Sequence, residues 1–415
     1  MNPLANLSDA FGAGDRVFVP CMTGESALLA EELRADPERA RDVHFVGIQF
    51  PGIDTIDYVA AHDSSQWTTY FMSPATRRGL AQGRAHLRGV DYTGVAHDLL
   101  NGTPMDVVIA QVSPPDSAGW CSAGLSADFM PLAWARARRR VAHVNASMPP
   151  TRGTFRVRLQ EVDAWVNADR PLLEFRDPTT SDLDLKIASL AASCVRDGDT
   201  LQFGIGTVPL ALGRALADHR RLKIRAGMVT QTLRLLADAG AMDEDASVVT
   251  GVALGDASFH DFAARHPSLW FTDIRETHSI ARLSAIPALV AINSAVEVDL
   301  FGQVNAERMG GELLAGSGGL PAFAQGALQS PGGRLLICLR ATASRGAVSR
   351  IVPALGSGSV CTLPRHLADT VITEHGIASI RNLDVDARAE ALIGIADPSH
   401  RESLATAWSR LRSAL

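Results

Sequence analysis

The sequence predicts an α/β fold of two tandem open α/β domains with mainly parallel sheets. Three observations carry that prediction. Short β-rich runs recur along the chain, and most are nearly continuous in apolar residues, as strands covered on both faces are. Helical segments alternate with them, which is the order of a parallel sheet with crossover helices. A length of 415 residues exceeds what one hydrophobic core usually serves.

Taken in order, the first half offers strands in "RVFVP" (16–20), "DVHFVGI" (42–48), "MDVVIAQVS" (105–113) and "RRVAHVNAS" (139–147). "EFRDPTTSDLD" (174–184) joins Pro178 to small polar residues and a capping box, Ser181-x-x-Asp184, ahead of a helix. The domain boundary is placed there, giving domains 1–178 and 179–415, with the glycine loops in the second. In "LKIASLAASCV", Ile187, Leu190, Ala191 and Cys194 recur at helical spacing and make one apolar stripe. Further strands are read in "TLQFGIG" (200–206), "ALVAINSAVEV" (288–298), "GRLLICLRAT" (333–342) and "TVITEHG" (370–376). Between them, "RLKIRAGMVTQTLRLLADAG" (221–240) reads as a short strand, a turn at Ala226-Gly227 and an amphipathic helix.

Composition narrows the function classes. Hydrophobic residues make up 46% and charged residues 20%, which fits a soluble globular chain. A net charge of −6 argues against nucleic acid as the main partner, because phosphate binding wants a basic surface. The five cysteines are spread out with no CxxC, so neither a disulfide framework nor a zinc pattern is expected, and a reducing cytoplasm is. The twelve histidines form no HExxH, and no metal site is expected. The first residues have no signal-peptide pattern and no apolar run is long enough for a bilayer, so no membrane partner is expected.

Two glycine-rich stretches are candidates for chemistry. "GIGTVP" (204–209) follows a strand and precedes a helix with Pro209 near its start. Glycines there let a ligand approach the backbone, and the helix N-terminus offers amide donors to an anion. The pattern is GxGxxP rather than the dinucleotide fingerprint GxGxxG, which counts against a nicotinamide-dependent dehydrogenase. On these residues alone a tight βα turn serves equally well. "GSGG" (316–319) can aim several amides at one oxygen, although a flexible surface loop is the simpler reading.

Longer blocks bear on both. "DVVIAQVSPPDSAGWCSAGLSADF" (106–129), "NSAVEVDLFGQVNAERMGG" (293–311), "VSRIVPALGSGSVCT" (348–362), "VITEHGIASIR" (371–381) and "ARAEALIGIADPSHRESL" (387–404) resemble the acetyl-CoA hydrolase/CoA-transferase family. The likeness is to its 4-hydroxybutyrate and butyrate–acetate CoA-transferases, and runs from about Gly12 to Leu404. It implies an acyl-CoA substrate, a site between two α/β domains, a small-molecule acceptor or water, and a homo-oligomer, dimer or tetramer. It also implies that coenzyme A contacts Gly204, Ile205, Gly206, Thr207 and Val208, and lies against Gly316, Gly318 and Gly319. A family "GGK" falls on Gly332, Gly333 and Arg334, where arginine stands for lysine as a phosphate contact.

The family's nucleophile is a glutamate in an "HSEM"-like motif. Its carboxylate attacks the acyl-CoA carbonyl, and a glutamyl-CoA thioester then carries CoA to an acceptor acid. The resemblance places that glutamate at Gly227, with Arg225 and Ala226 for the preceding His and Ser. Position 227 is therefore read as a vacant nucleophile site. A vacancy beside an oxyanion hole would admit water, or an amine or carrier-bound thiol, and Arg225 would hold a substrate carboxylate. Alternatives are a conventional CoA-transferase with a substitute nucleophile and a non-catalytic acyl-CoA-binding subunit. The substitutes weighed are Glu297, Glu307, Glu374 and Cys21. Cys21 requires a lowered thiol pKa, and a small buried residue is its simpler reading.

Overall fold

The computed structural model describes residues 2–415. The chain divides into two compact units. The first holds the chain up to Arg176 together with Gly227–Thr230 and Ser247–His278. The second holds Asp177–Ala226, Gln231–Ala246 and Ser279–Leu415.

The first unit is built on an eight-stranded sheet, parallel throughout. From edge to edge it runs Asn2–Pro3, Ala164–Asn167, Arg139–Val144, Val107–Val112, Arg16–Phe18, His44–Val46, Gln66–Thr69 and Ala85–Leu87. Every residue of Val107–Val112 is buried, as its unbroken apolar pattern requires of a central strand. Leu29, Phe45, Trp67, Ile109 and Val141 share one core on this sheet. Three helices of this unit start at a side chain that accepts from a backbone amide: Ser26 from Leu29, Asp91 from Gly94, Asp256 from Phe259.

The second unit has a six-stranded sheet in the order Lys223–Ile224, Thr200–Phe203, Leu289–Ser294, Arg334–Cys338, Thr370–Thr373 and Gly376–Ser379. Five of these strands are parallel, and the last returns antiparallel as a hairpin. The helix Leu320–Gln329 lays Phe323, Ala324 and Ala327 on Leu289, Ala291, Leu335 and Ile337. The capping box read from the sequence is present: Ser181 caps the helix Asp182–Ala192, and the Asp184 side chain returns to the Ser181 amide.

A single cut near residue 178 does not describe the division. Gly227–Thr230 and Ser247–His278 pack with the first unit because short strand pairings hold them there. Met228–Val229 pairs with Val252–Ala253, Val248–Thr250 with Leu269–Phe271, and Ser126 and Gly153 bridge to Val252 and Phe271. Strands of two or three residues carry too little periodicity to be seen in a sequence.

Replacing Ser181 by Ala removes the side-chain half of the capping box, in which its hydroxyl accepts from the Asp184 amide. An expected loss of about 1 kcal/mol would be read as a lower urea midpoint with unchanged slope.

Candidate functional site

In the second unit the glycine loops sit at one edge of the sheet. Gly204, Ile205 and Gly206 follow strand Thr200–Phe203 directly, and Gly206 caps the helix Thr207–Ala215 with φ of 122° and ψ of −174°. That backbone region is closed to side-chain-bearing residues, so glycine is required there. Val208 is buried in the first helical turn, and the Thr207 hydroxyl bonds the Asp184 carboxylate. Burial by itself would raise the Asp184 pKa, but Arg340 and Ser181 outweigh it, and the net shift is downward. The second loop brings Gly316, Gly318 and Gly319 to the start of helix Leu320–Gln329, with Gly318 at φ of 57° and Gly319 as the cap. The helix ends beside the amino end of the neighbouring strand, where the Ala288 amide donates to the Pro331 carbonyl. Its N-terminus therefore starts toward the carboxyl ends of the strands, the edge that Gly204 also occupies, and such an edge is where open α/β sheets take ligands.

Gly332, Gly333 and Arg334 lie elsewhere. They begin strand Arg334–Cys338, at its amino end, on the edge opposite the glycine loops. A Cβ at Gly333 would come within 2.1 Å of the Ala327 carbonyl oxygen, so that glycine serves a close backbone approach. The Arg334 guanidinium is committed to Asp199, the Cys194 carbonyl and the Gly332 carbonyl. Arg334 therefore stands away from the glycine loops, with its guanidinium engaged by neighbours of its own unit. Arg225 is partly buried, and its amide extends the pairing of its strand by donating to the Leu201 carbonyl at 3.0 Å. The three glutamates weighed as substitutes hold local structure: Glu297 accepts from Asn305 and Ser359, Glu307 from Thr362, and Glu374 from the Ala341 amide.

Gly227 lies in the first unit, at a knot of four segments. Its carbonyl oxygen accepts from the Gly251 and Val252 amides at 3.0 and 3.2 Å. The Gly251 carbonyl in turn accepts from Ala127 and Asp128, and the Asp128 carbonyl from Ile274. Gly227 has no left-handed φ, so its backbone would admit any residue. What excludes a side chain is His278: a Cβ on Gly227 would stand 2.6 Å from Cε1 and 2.9 Å from Nε2 of that imidazole. The place next to Gly227 is filled, not vacant. This corrects the expectation of an opening into which water could enter.

His278 is 2% exposed, with its Nδ1 2.8 Å from Thr277 Oγ1 and its ring 4.8 Å from that of Tyr92. Burial lowers its pKa to about 3, so the ring is neutral at physiological pH. Asp128 is buried beside it in the knot, and its Oδ1 has no hydrogen-bond partner among the described residues. Burial first, and then the Asp273 charge, push its pKa well above the usual carboxylate range.

Cys21 lines a cavity of about 30 Å³ with Met22, Gln111, Ser126, Asp128 and Phe129. Its thiol donates to the Val19 carbonyl at 3.6 Å. Burial, and then the charges of Asp54 and Glu25, raise its pKa well above the ordinary thiol value. A reactive thiolate needs the opposite environment, so the condition set for Cys21 is not met. Asp54 itself is raised to about 8 by burial and then by Glu25, while it accepts from the Met22 and Phe50 amides.

Known proteins were compared with this chain. Residues 5–173 match the acetyl-CoA hydrolase/transferase N-terminal domain, and residues 255–408 the C-terminal domain of the same name. The 4-hydroxybutyrate coenzyme A transferase of Clostridium kluyveri is 36% identical over 307 residues, covering 72% of each chain. The chain belongs to the acetyl-CoA hydrolase/transferase family. Among solved structures of similar fold, RipA from Yersinia pestis has a TM-score of 0.89 at 24% identity, covering 99% of this chain and 98% of its own. A 4-hydroxybutyrate CoA-transferase from Porphyromonas gingivalis has a TM-score of 0.81 at 27% identity, covering 98% and 95%.

This acetyl-CoA hydrolase/transferase family enzyme thus holds residues around Gly227 that its sequence does not announce. His278, Asp128 and Tyr92 match no motif, and each is distant in sequence from Gly227. No sequence signal marks them, because the freedom of Gly227 from a left-handed φ is seen only in the folded backbone.

Two outcomes are expected. Gly206→Ala forces an alanine into a glycine-only region and should cost on the order of 1–3 kcal/mol, measured by thermal unfolding. His278 takes up a proton near pH 6.5 when unfolded and only near 3 when folded. Between those values the unfolded state binds more protons, so this group makes stability fall with falling pH, by up to about 1.4 kcal/mol per unit. Asp54 and Asp128, raised in the fold, act in the opposite sense above about pH 3.8. The His278 part is isolated by difference: His278→Asn should lose less stability than the parent protein between pH 7 and 5 in urea titrations.

Proposed function

We propose that this family member processes an acyl-CoA thioester without a glutamyl-CoA intermediate. It hydrolyses the thioester or passes the acyl group directly to a non-carboxylate acceptor, such as an amine or a carrier-bound thiol. The single observation that carries the reading is Gly227, at the position the resemblance gives to the nucleophilic glutamate, with an imidazole filling the place of its side chain. In hydrolysis, a water oxygen bonds to the acyl carbon, the C–S bond breaks, and acid and free CoA leave. The amides at the starts of helices Thr207–Ala215 and Leu320–Gln329 are suited to the CoA phosphates and to the charge that develops on the thioester oxygen. In this reading Gly204, Ile205, Gly206, Thr207, Val208, Gly316, Gly318 and Gly319 form the CoA cradle, and Arg225 binds a carboxylate of the acyl group or acceptor. The assembly is a homo-oligomer, as the resemblance implies.

A second reading is favoured by the relatives themselves, since those of Clostridium kluyveri and Porphyromonas gingivalis are both named as 4-hydroxybutyrate CoA-transferases. It requires a substitute nucleophile. The buried, raised thiol of Cys21 and the engaged carboxylates of Glu297, Glu307 and Glu374 all weigh against one.

The test is a mass-spectrometric time course with short and branched acyl-CoAs, with and without acetate. Free CoA released at the same rate in both is the expected result for hydrolysis; addition of amines and acyl-carrier thiols then searches for a faster acceptor. Acetyl-CoA formed only with acetate would overturn the proposal in favour of the second reading.

A further inference from the structure

We infer that positions 227 and 278 form a single side-chain site, filled in this chain by the His278 imidazole, and that this filling keeps a carboxylate out of the reaction. The inference deepens the reading above and rests on it for the identity of the thioester. Three observations carry it. The backbone at 227 accepts any residue, so glycine is there for space and not for conformation. The nearest heavy atoms to a Cβ at that position are all of one side chain: Cε1, Nε2 and Nδ1 of His278, at 2.6, 2.9 and 3.8 Å. The imidazole cannot easily give way, because it is 2% exposed, pinned by Thr277 Oγ1 and packed on Tyr92.

Glycine and histidine are then partners in one exchange. Position 227 is itself partly exposed, so a glutamate placed there would start from backbone that solvent reaches. With the imidazole gone, such a carboxylate could add to the acyl carbon of the thioester, expelling CoA thiolate and leaving a mixed anhydride. The thiolate would then attack the glutamyl carbonyl, releasing the acyl group as its carboxylate and forming a glutamyl-CoA thioester. Acetate would take CoA from it by the same two steps in reverse, regenerating the glutamate. With the imidazole present, the carboxylate has no place to stand.

Four proteins test this: the parent, Gly227→Glu, His278→Gly and the double variant. Each is measured for unfolding temperature and for covalent CoA on the peptide containing residue 227, after incubation with butyryl-CoA and borohydride trapping of a duplicate. Gly227→Glu alone is expected to lower the unfolding temperature and to carry no adduct. The double variant is expected to recover at least half of that loss relative to His278→Gly, to carry CoA on the introduced carboxylate, and to form acetyl-CoA at least tenfold faster with acetate than the parent. Full stability in Gly227→Glu alone would show that the two positions do not exclude one another, and would overturn the inference. So would a double variant no more stable than the single, or a stable double variant without adduct. Acetate-dependent acetyl-CoA from the parent protein would sink the proposed function alone, because the stability coupling of 227 and 278 is read without turnover.

Discussion

Two amides converge on the carbonyl oxygen of Gly227 and tie that turn to the first unit. Buried backbone groups must find partners, and here the Gly251 and Val252 amides find theirs on a turn far from them in sequence. The Gly251 carbonyl passes the constraint to Ala127 and Asp128, and the Asp128 carbonyl passes it to Ile274. Once those bonds are made, the faces of the segments are fixed, and His278, at the end of helix Ile274–Thr277, lands against Gly227. Tightness is general in this knot. A Cβ on Gly251 would stand 3.0 Å from both Asp128 Oδ1 and the Gly227 carbonyl.

Burial and pairing pull the ionisable groups of this chain in different directions. In the first unit, burial sets the direction at three groups: it lowers the pKa of His278 and raises those of Asp128 and Cys21. Neutral groups avoid the large cost of a charge in a poorly solvated interior. In the second unit, Arg340 and Ser181 hold Asp184 below the usual carboxylate range, and Asp199 pairs with Arg334. A nucleophile or base near Gly227 would therefore have to work against its surroundings, whereas hydrogen-bond donors at the glycine loops work with theirs.

Much of the fold was legible because the main strands are buried on both faces. Runs such as Val107–Val112 and Leu289–Ser294 stay apolar for several residues, and each is a strand of a parallel sheet. Strands Gln66–Thr69, Ala85–Leu87 and Ala164–Asn167 were passed over, since they are short and more polar or lie toward sheet edges. The return of residues 247–278 to the first unit was equally hidden, because it depends on pairings of two or three residues. Arg334 shows a different limit. Its glycine neighbours resemble those of the other loops, but an amino-end turn and a carboxyl-end turn look alike until the strands are set in a sheet.

By itself the sequence determined the strand and helix order, the glycine loops ahead of two helices, the family, and the absence of a carboxylate at position 227. All of these are local patterns or runs of matched residues, which a chain displays whether or not it is folded. Only the tertiary structure decided that Gly227 belongs with the first unit, that Arg334 stands on the far edge of its sheet, and that an imidazole fills the place beside the glycine. The reason is physical. Hydrogen bonds and packing between distant segments choose which side chains meet, and a residue with no side chain carries no mark of the neighbour it makes room for.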